Sequence, residues 1–158
     1  MVLPNGHRTV LEVVHHRGGA AAVAVDAERR VCLLRQYRYA AAGWVWELPA
    51  GKLEPGEPPL ATAQRELAEE AGVAGRDWAE LGSSLSSPGV FTEVIHLYLA
   101  TGIAPAATAH ERAEVIEIHW LPLETACEWA LAGTITDSKT VIGLLRARFA
   151  ITNTVVAV

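Results

Sequence analysis

From residue 65 to residue 70 the chain reads Arg-Glu-Leu-Ala-Glu-Glu, which places three acids close together if the segment is helical. Glu66 and Glu70 are four residues apart, about 40° around a helix axis, so they project from one face. Glu69 lies between them, three residues from Glu66. Carboxylates at these spacings repel by about a few tenths of a kcal/mol when exposed, and by more when buried. Arg65 can pair with Glu69 at the favourable four-residue spacing or reach back to Glu57, which leaves Glu66 and Glu70 without a protein partner. A hard divalent ion held by carboxylate oxygens is one answer, since Mg²⁺ binds through one or two carboxylates together with substrate phosphates. The other answer is a solvated acidic helix face.

The elements that must position these acids are legible around them. Residues 60–71 are strong helix formers, and Gly72 is placed to end the helix. Before it, residues 51–57 carry two glycines and Pro55, then Pro58-Pro59, a loop running into a first helical turn that tolerates proline. Upstream, residues 9–16, 20–26, 31–39 and 44–48 read as strands, with a hairpin turn over 26–30. Downstream, strands are expected over 81–87, 94–101 and 114–121, with a loop over 103–112. A short helix follows over 123–131, closed by Gly133. In a last helix Thr136 or Asp137 is the N-cap, and Val141, Leu144, Leu145 and Phe149 recur at helical spacing. This order fits a sheet covered by helices on its faces.

Composition narrows the function classes. The 158 residues suit one core, and 51% apolar with 20% charged residues describes a globule. A net charge of −5 argues against a broad nucleic-acid or anionic-lipid surface. The apolar run 20–25 is far short of a membrane span, and no apolar segment follows residues 1–9 as a signal peptide requires. The expectation is a soluble cytoplasmic protein with no nucleic-acid or membrane partner. Cys32 and Cys127 lie in no thiolate zinc spacing, and the six histidines in no chelating pair, so both sets read as packing or polar residues.

Residues 51–73 as a whole resemble the Nudix box. Gly51, Glu57, Arg65, Glu66, Leu67, Glu69, Glu70, Gly72 and Val73 meet each of its defined positions. With residue frequencies of about 5–7%, the seven invariant matches have a chance on the order of 10⁻⁸ per window. The resemblance implies an α/β/α sandwich with a mixed sheet that hydrolyses a nucleoside diphosphate linked to another moiety. By the same resemblance Glu66 and Glu70 are the principal Mg²⁺ ligands, with Mn²⁺ the alternative ion. Glu69 and the backbone carbonyl of Ala50 would be further ligands, while Arg65 and Glu57 brace loop against helix.

Three flanking segments are similar to the ADP-ribose pyrophosphatase branch: Gln36-Tyr-Arg38 with Trp46-Glu-Leu-Pro-Ala-Gly51, Ser87-Pro-Gly-Val-Phe-Thr-Glu93, and Asp137-Ser-Lys-Thr140. They imply ADP-ribose as substrate, with GDP-mannose, NADH or a diadenosine polyphosphate as the alternatives, and a non-catalytic nucleotide sensor as the rival class. Substrate contacts are expected from Arg38, whose fork suits a diphosphate, and from Trp46, Glu47, Gly89 and Glu93. Strand alternation sets Trp44 and Trp46 opposite Glu47, so all three do not line one wall. The Asp137–Thr140 run also reads simply as a helix cap. The base, or a further metal ligand, is expected from the acidic loop at Glu114, then Glu111, with Glu93 third; Arg112 interrupts this loop. Residues 1–40 resemble an antiparallel strand extension exchanged in a homodimer, preceding a catalytic domain over 41–158.

Overall fold

The computed structural model describes residues 1–110 and 114–156. Its strands are β1 (Gly19–Ala24), β2 (Arg30–Arg38), β3 (Gly43–Glu47), β4 (Ala50–Lys52), β5 (Val73–Leu85), β6 (Val94–Pro105) and β7 (Ile116–Pro122). Its helices are α1 (Pro59–Ala71), α2 (Leu123–Leu131) and α3 (Ser138–Val156). The strands form two sheets, one of four in the order β4-β1-β6-β5 and one of three in the order β3-β2-β7. The first is mixed: β1 runs parallel to β6 and antiparallel to β4. The hairpin turn brings Val25 into an antiparallel bridge with Val31, with Asp26 Oδ1 accepting the Arg30 N–H at 2.7 Å.

Both faces of β1 are buried, which explains why 20–25 reads as an unbroken apolar run rather than an alternation. Ala20, Ala22 and Ala24 turn with Cys32 and Leu34 toward Ala63, Leu67 and Ala71 of α1. Ala21 and Val23 turn with Val31 and Leu33 toward α2 and α3, where Leu123, Ile135 and Leu144 close the second core. The helices thus cover opposite faces, as the α/β/α expectation required. Close approach on the α3 side depends on Gly143, where a Cβ would stand 2.6 Å from Leu48 Cδ1.

Several elements differ from the sequence reading. Residues 9–16 are not a ladder strand; Val14 makes a single parallel bridge with Phe91. Gly19–Arg38 runs through both sheets, so residues 1–18 are the part of the N-terminal region outside them. The loop expected from Gly51 begins instead as β4, too short for any pattern to register. The strand expected over 81–87 is the end of β5, which starts at once after α1; its earlier part is hidden by Gly75, Arg76 and Asp77 and by an exposed outer face. β6 continues to Pro105, beyond the expected end at 101. Among the described residues no helix is long and apolar enough to cross a membrane.

Candidate active site

The acidic helix is driven into the cleft by its own core stripe. Ala63, Leu67 and Ala71 pack inward on α1, and Glu70 falls on that same side, only 4% exposed. Pro59 opens the helix, and Gly72 closes it in the left-handed region at φ 65°, its N–H donating to Ala68 O. Glu70 Oε2 accepts the Ala50 N–H at 2.8 Å, which ties the helix to the start of β4. Burial pushes the Glu70 carboxyl up to about 8, and the nearby charges of Glu66 and Glu114 act in the same direction. Burial also raises Glu66, against the opposing pull of Arg65.

Arg65 makes both of the contacts its spacing offered. Its Nε and Nη2 donate to the two oxygens of Glu57, each at 3.1 Å, and its Nη1 donates to Glu69 Oε2 at 3.0 Å. The same Nη1 donates to Glu66 Oε1 at 2.8 Å, so the expectation that Glu66 lacks a protein partner is corrected. A planar fork with several donors can serve three carboxylates at once, which spacing along one helix does not reveal. Hydrogen bonds from Arg65 first, then Thr62, hold Glu57 down at about 2. Gly51 is part of the cradle: a Cβ there would stand 1.7 Å from Glu66 Oε1.

Glu66, Glu69 and Glu70 line a cleft of about 550 Å³, whose walls also include Arg38, Glu93, Glu114 and Lys139. Among the described residues no three carboxylate, imidazole or thiol side chains already close around one point as a metal cage. The donor set nevertheless fits an oxygen-ligated divalent ion: a buried carboxylate, a second one four residues away, and a glycine that leaves room for it. Ala50, expected to offer its carbonyl, lines the same cleft, and the contact it makes to Glu70 is through its N–H. His110 Nε2 donates to Glu70 O at 2.8 Å, so the loop after β6 is pinned to the end of α1. Glu114 follows that loop into the cleft, while Glu111 lies outside the described residues.

Arg38 lines the cleft and meets Glu47, which, against the expectation, does not line it. Arg38 Nε and Nη2 donate to the two Glu47 oxygens at 2.7 and 3.0 Å, and Lys139 Nζ reaches Glu47 Oε2 at 2.6 Å. Burial pushes the Glu47 carboxyl up, but the bonds from Arg38 and Lys139 outweigh it and leave the group below its ordinary range. The register explains the meeting, since Glu47 pairs with Leu34 and Arg38 with Gly43, putting both side chains on one face. Trp46 faces the other way and packs against His119 and Trp129, with ring centroids at 4.9 and 5.5 Å, outside the cleft. Gly89 sits on the exposed turn where Val90 N–H donates to Ser87 O, and it does not line the cleft. Glu93 does, with Oε1 at 3.0 Å from His16 Nδ1. Lys139 has no role of its own in the sequence reading, where it is one member of the Asp137–Thr140 segment that resembles the ADP-ribose pyrophosphatase branch and also reads as a helix cap.

The Nudix domain model matches residues 15–142. Over 144 residues the chain is 39% identical to the methanol dehydrogenase activator of Bacillus methanolicus, covering 90% of this chain and 78% of that protein. Over 146 residues it is 37% identical to the ADP-ribose pyrophosphatase of Mycobacterium tuberculosis, covering 90% of this chain and 70% of that one. A crystal structure described as that of an ADP compounds hydrolase shares the fold at a TM-score of 0.82 and 22% identity, over 96% of this chain and 82% of that chain. A domain model spanning most of the sequence, matched by relatives above 30% identity, leads to one conclusion: the chain belongs to the Nudix family.

Proposed function

We propose that this Nudix hydrolase cleaves the diphosphate of ADP-ribose with water, in the presence of Mg²⁺, to yield AMP and ribose 5-phosphate. The observation that carries the reading is the pair Glu66 and Glu70, one of them buried, lining a cleft that Arg38 also lines. The relative named ADP-ribose pyrophosphatase supports the choice of substrate. Glu66 and Glu70 would hold the ion, with Glu69 and the Ala50 carbonyl as further ligands and Mn²⁺ as the alternative metal. When bound, the ion offsets diphosphate charge and lowers the pKa of water. Arg38 binds and orients the diphosphate, and Arg65 with Glu57 keeps the glutamates in place. Glu114 takes the proton from the attacking water, ahead of Glu111 and Glu93 in that role.

A homodimer and a cytoplasmic setting belong to the same reading. Val10, Leu11, Val13, Val14 and Phe91 leave an apolar strip uncovered, and residues 1–18 are the segment a partner chain would pair with. Cys32 and Cys127 are both buried free thiols, which suits a reducing compartment.

The test is product analysis by chromatography with ADP-ribose, GDP-mannose, NADH and a diadenosine polyphosphate in Mg²⁺. AMP is expected to appear fastest from ADP-ribose, and a faster rate on another member would overturn the substrate assignment. In the Glu70→Gln variant kcat is expected to fall by at least about 100-fold, since loss of outer-shell support alone costs 10–100-fold. Undiminished turnover in that variant would remove the metal assignment.

A further inference from the structure

Lys139 belongs to the first turn of α3, and two carboxylates share its ammonium: Glu47 Oε2 at 2.6 Å and Asp137 Oδ2 at 3.0 Å. Asp137 is itself fixed, because its Oδ2 accepts the Thr140 N–H at 3.0 Å and the Thr140 hydroxyl at 2.6 Å. The Thr140 hydroxyl in turn accepts the Leu48 N–H at 2.8 Å. The first turn of α3 therefore grips the end of β3 twice, once at the backbone of Leu48 and once at the side chain of Glu47. Glu47, 5% exposed at its side chain, passes this anchorage on to Arg38 through a two-point carboxylate–guanidinium contact.

Arg38 is the exposed end of the chain of contacts, 44% exposed against 17% for Lys139. A carboxylate facing Arg38 alone would cancel its charge and let the pair swing together. With Lys139 sharing Oε2 with Arg38, the Glu47 carboxylate is held by two cations and its rotamer is pinned. Asp137 balances the Lys139 charge, so what Lys139 gives Arg38 is a fixed direction toward an anion in the cleft. We propose that Lys139 is a positioning residue for substrate binding, acting on Arg38 through Glu47. The proposal rests on the assignment of Arg38 to the substrate diphosphate.

The test is a double-mutant cycle with Arg38→Met and Lys139→Met on the full chain, assayed with ADP-ribose and Mg²⁺. Lys139→Met is expected to raise KM about tenfold with kcat held within about twofold, the pattern of lost binding and not of lost chemistry. Lys139→Arg, which keeps a cation on Glu47, is expected to restore KM to within about threefold of the parent chain. The double variant is expected to bind no worse than Arg38→Met alone, since a residue acting through another adds nothing once that other is gone. Multiplying KM effects, a loss confined to kcat, or failure of Lys139→Arg to restore KM would overturn the proposal. Should Lys139→Met not fold, Lys139→Gln carries the same comparison. If another diphosphate replaces ADP-ribose as the preferred substrate, that outcome falls on the substrate assignment, and the cycle is read on the preferred compound. Absence of turnover on every diphosphate would overturn both.

Discussion

Gly51 shows how a single missing atom shapes the site. The space a side chain would take here is filled by the Glu66 carboxylate, and a Cβ would overlap Oε1 at 1.7 Å. Gly51→Ala therefore has to move the glutamate or bend β4. Overpacking of this kind costs about 1–3 kcal/mol, and the displaced carboxylate costs activity as well. The expected outcome is a kcat reduced by about 10–100-fold with a folded protein, as for disturbed metal support elsewhere. Steady-state kinetics beside a thermal melt check it; unchanged kcat would show that Glu66 has room to adapt. Arg65 makes the complementary point, because one guanidinium serves Glu57, Glu66 and Glu69 together. Charges that repel along the helix are thereby held in one orientation before any ion arrives.

Between elements, the decisive joint is the one linking α3 to β3. Thr140 is fully buried and bonds Leu48 N–H and Asp137 simultaneously. Thr140→Val keeps the shape but leaves a buried amide donor unsatisfied, a loss of about 1–3 kcal/mol. Thermal unfolding is expected at a temperature lower by about 2–12 °C for a domain of this size. A melt equal to that of the parent chain would mean that water or a shifted backbone satisfies Leu48. The β4 tether behaves likewise: Ala50 and Gly51 reach α1 through Glu70 and Glu66, so strand and helix place the acids jointly. Neither element holds them alone.

For the whole molecule, the uncovered apolar strip bears on assembly. Val10 is 88% exposed and Val14 49%, beside Phe91 at 41%. If residues 1–18 lie against a second chain, placing charges there opposes association by burying unpaired carboxylates. Light scattering is expected to give twice the chain mass for the parent and a single chain mass for the Val10→Asp, Val14→Asp variant. A monomeric parent would overturn the dimer. The two-core layout has a further consequence for the cleft, which opens where α1 on one face and the first turn of α3 on the other approach the ends of β1, β2 and β4.

The glutamate cluster was readable from the chain alone because its geometry is local. Once residues 59–71 form a helix, the spacings of Glu66, Glu69 and Glu70 follow from 3.6 residues per turn, and the position of Glu70 beside Leu67 already places it on the buried stripe. The same holds for Gly72 as a stop and for the opposed faces of Trp46 and Glu47, which alternation dictates. Residues 9–16 misled because an apolar composition reads as a strand whether or not a neighbour is present to pair with it. Only the end of β5 was read, within the strand expected over 81–87, because its first part is exposed, contains a glycine and carries no alternating signal. Arg38, Glu47 and Lys139 could not be joined from sequence, since the last contact spans 92 residues and depends on which strand α3 packs against. Local periodicity determined which side chains were available as ligands; only the tertiary fold decided which cations stand opposite them, because long-range pairing is set by topology and not by spacing.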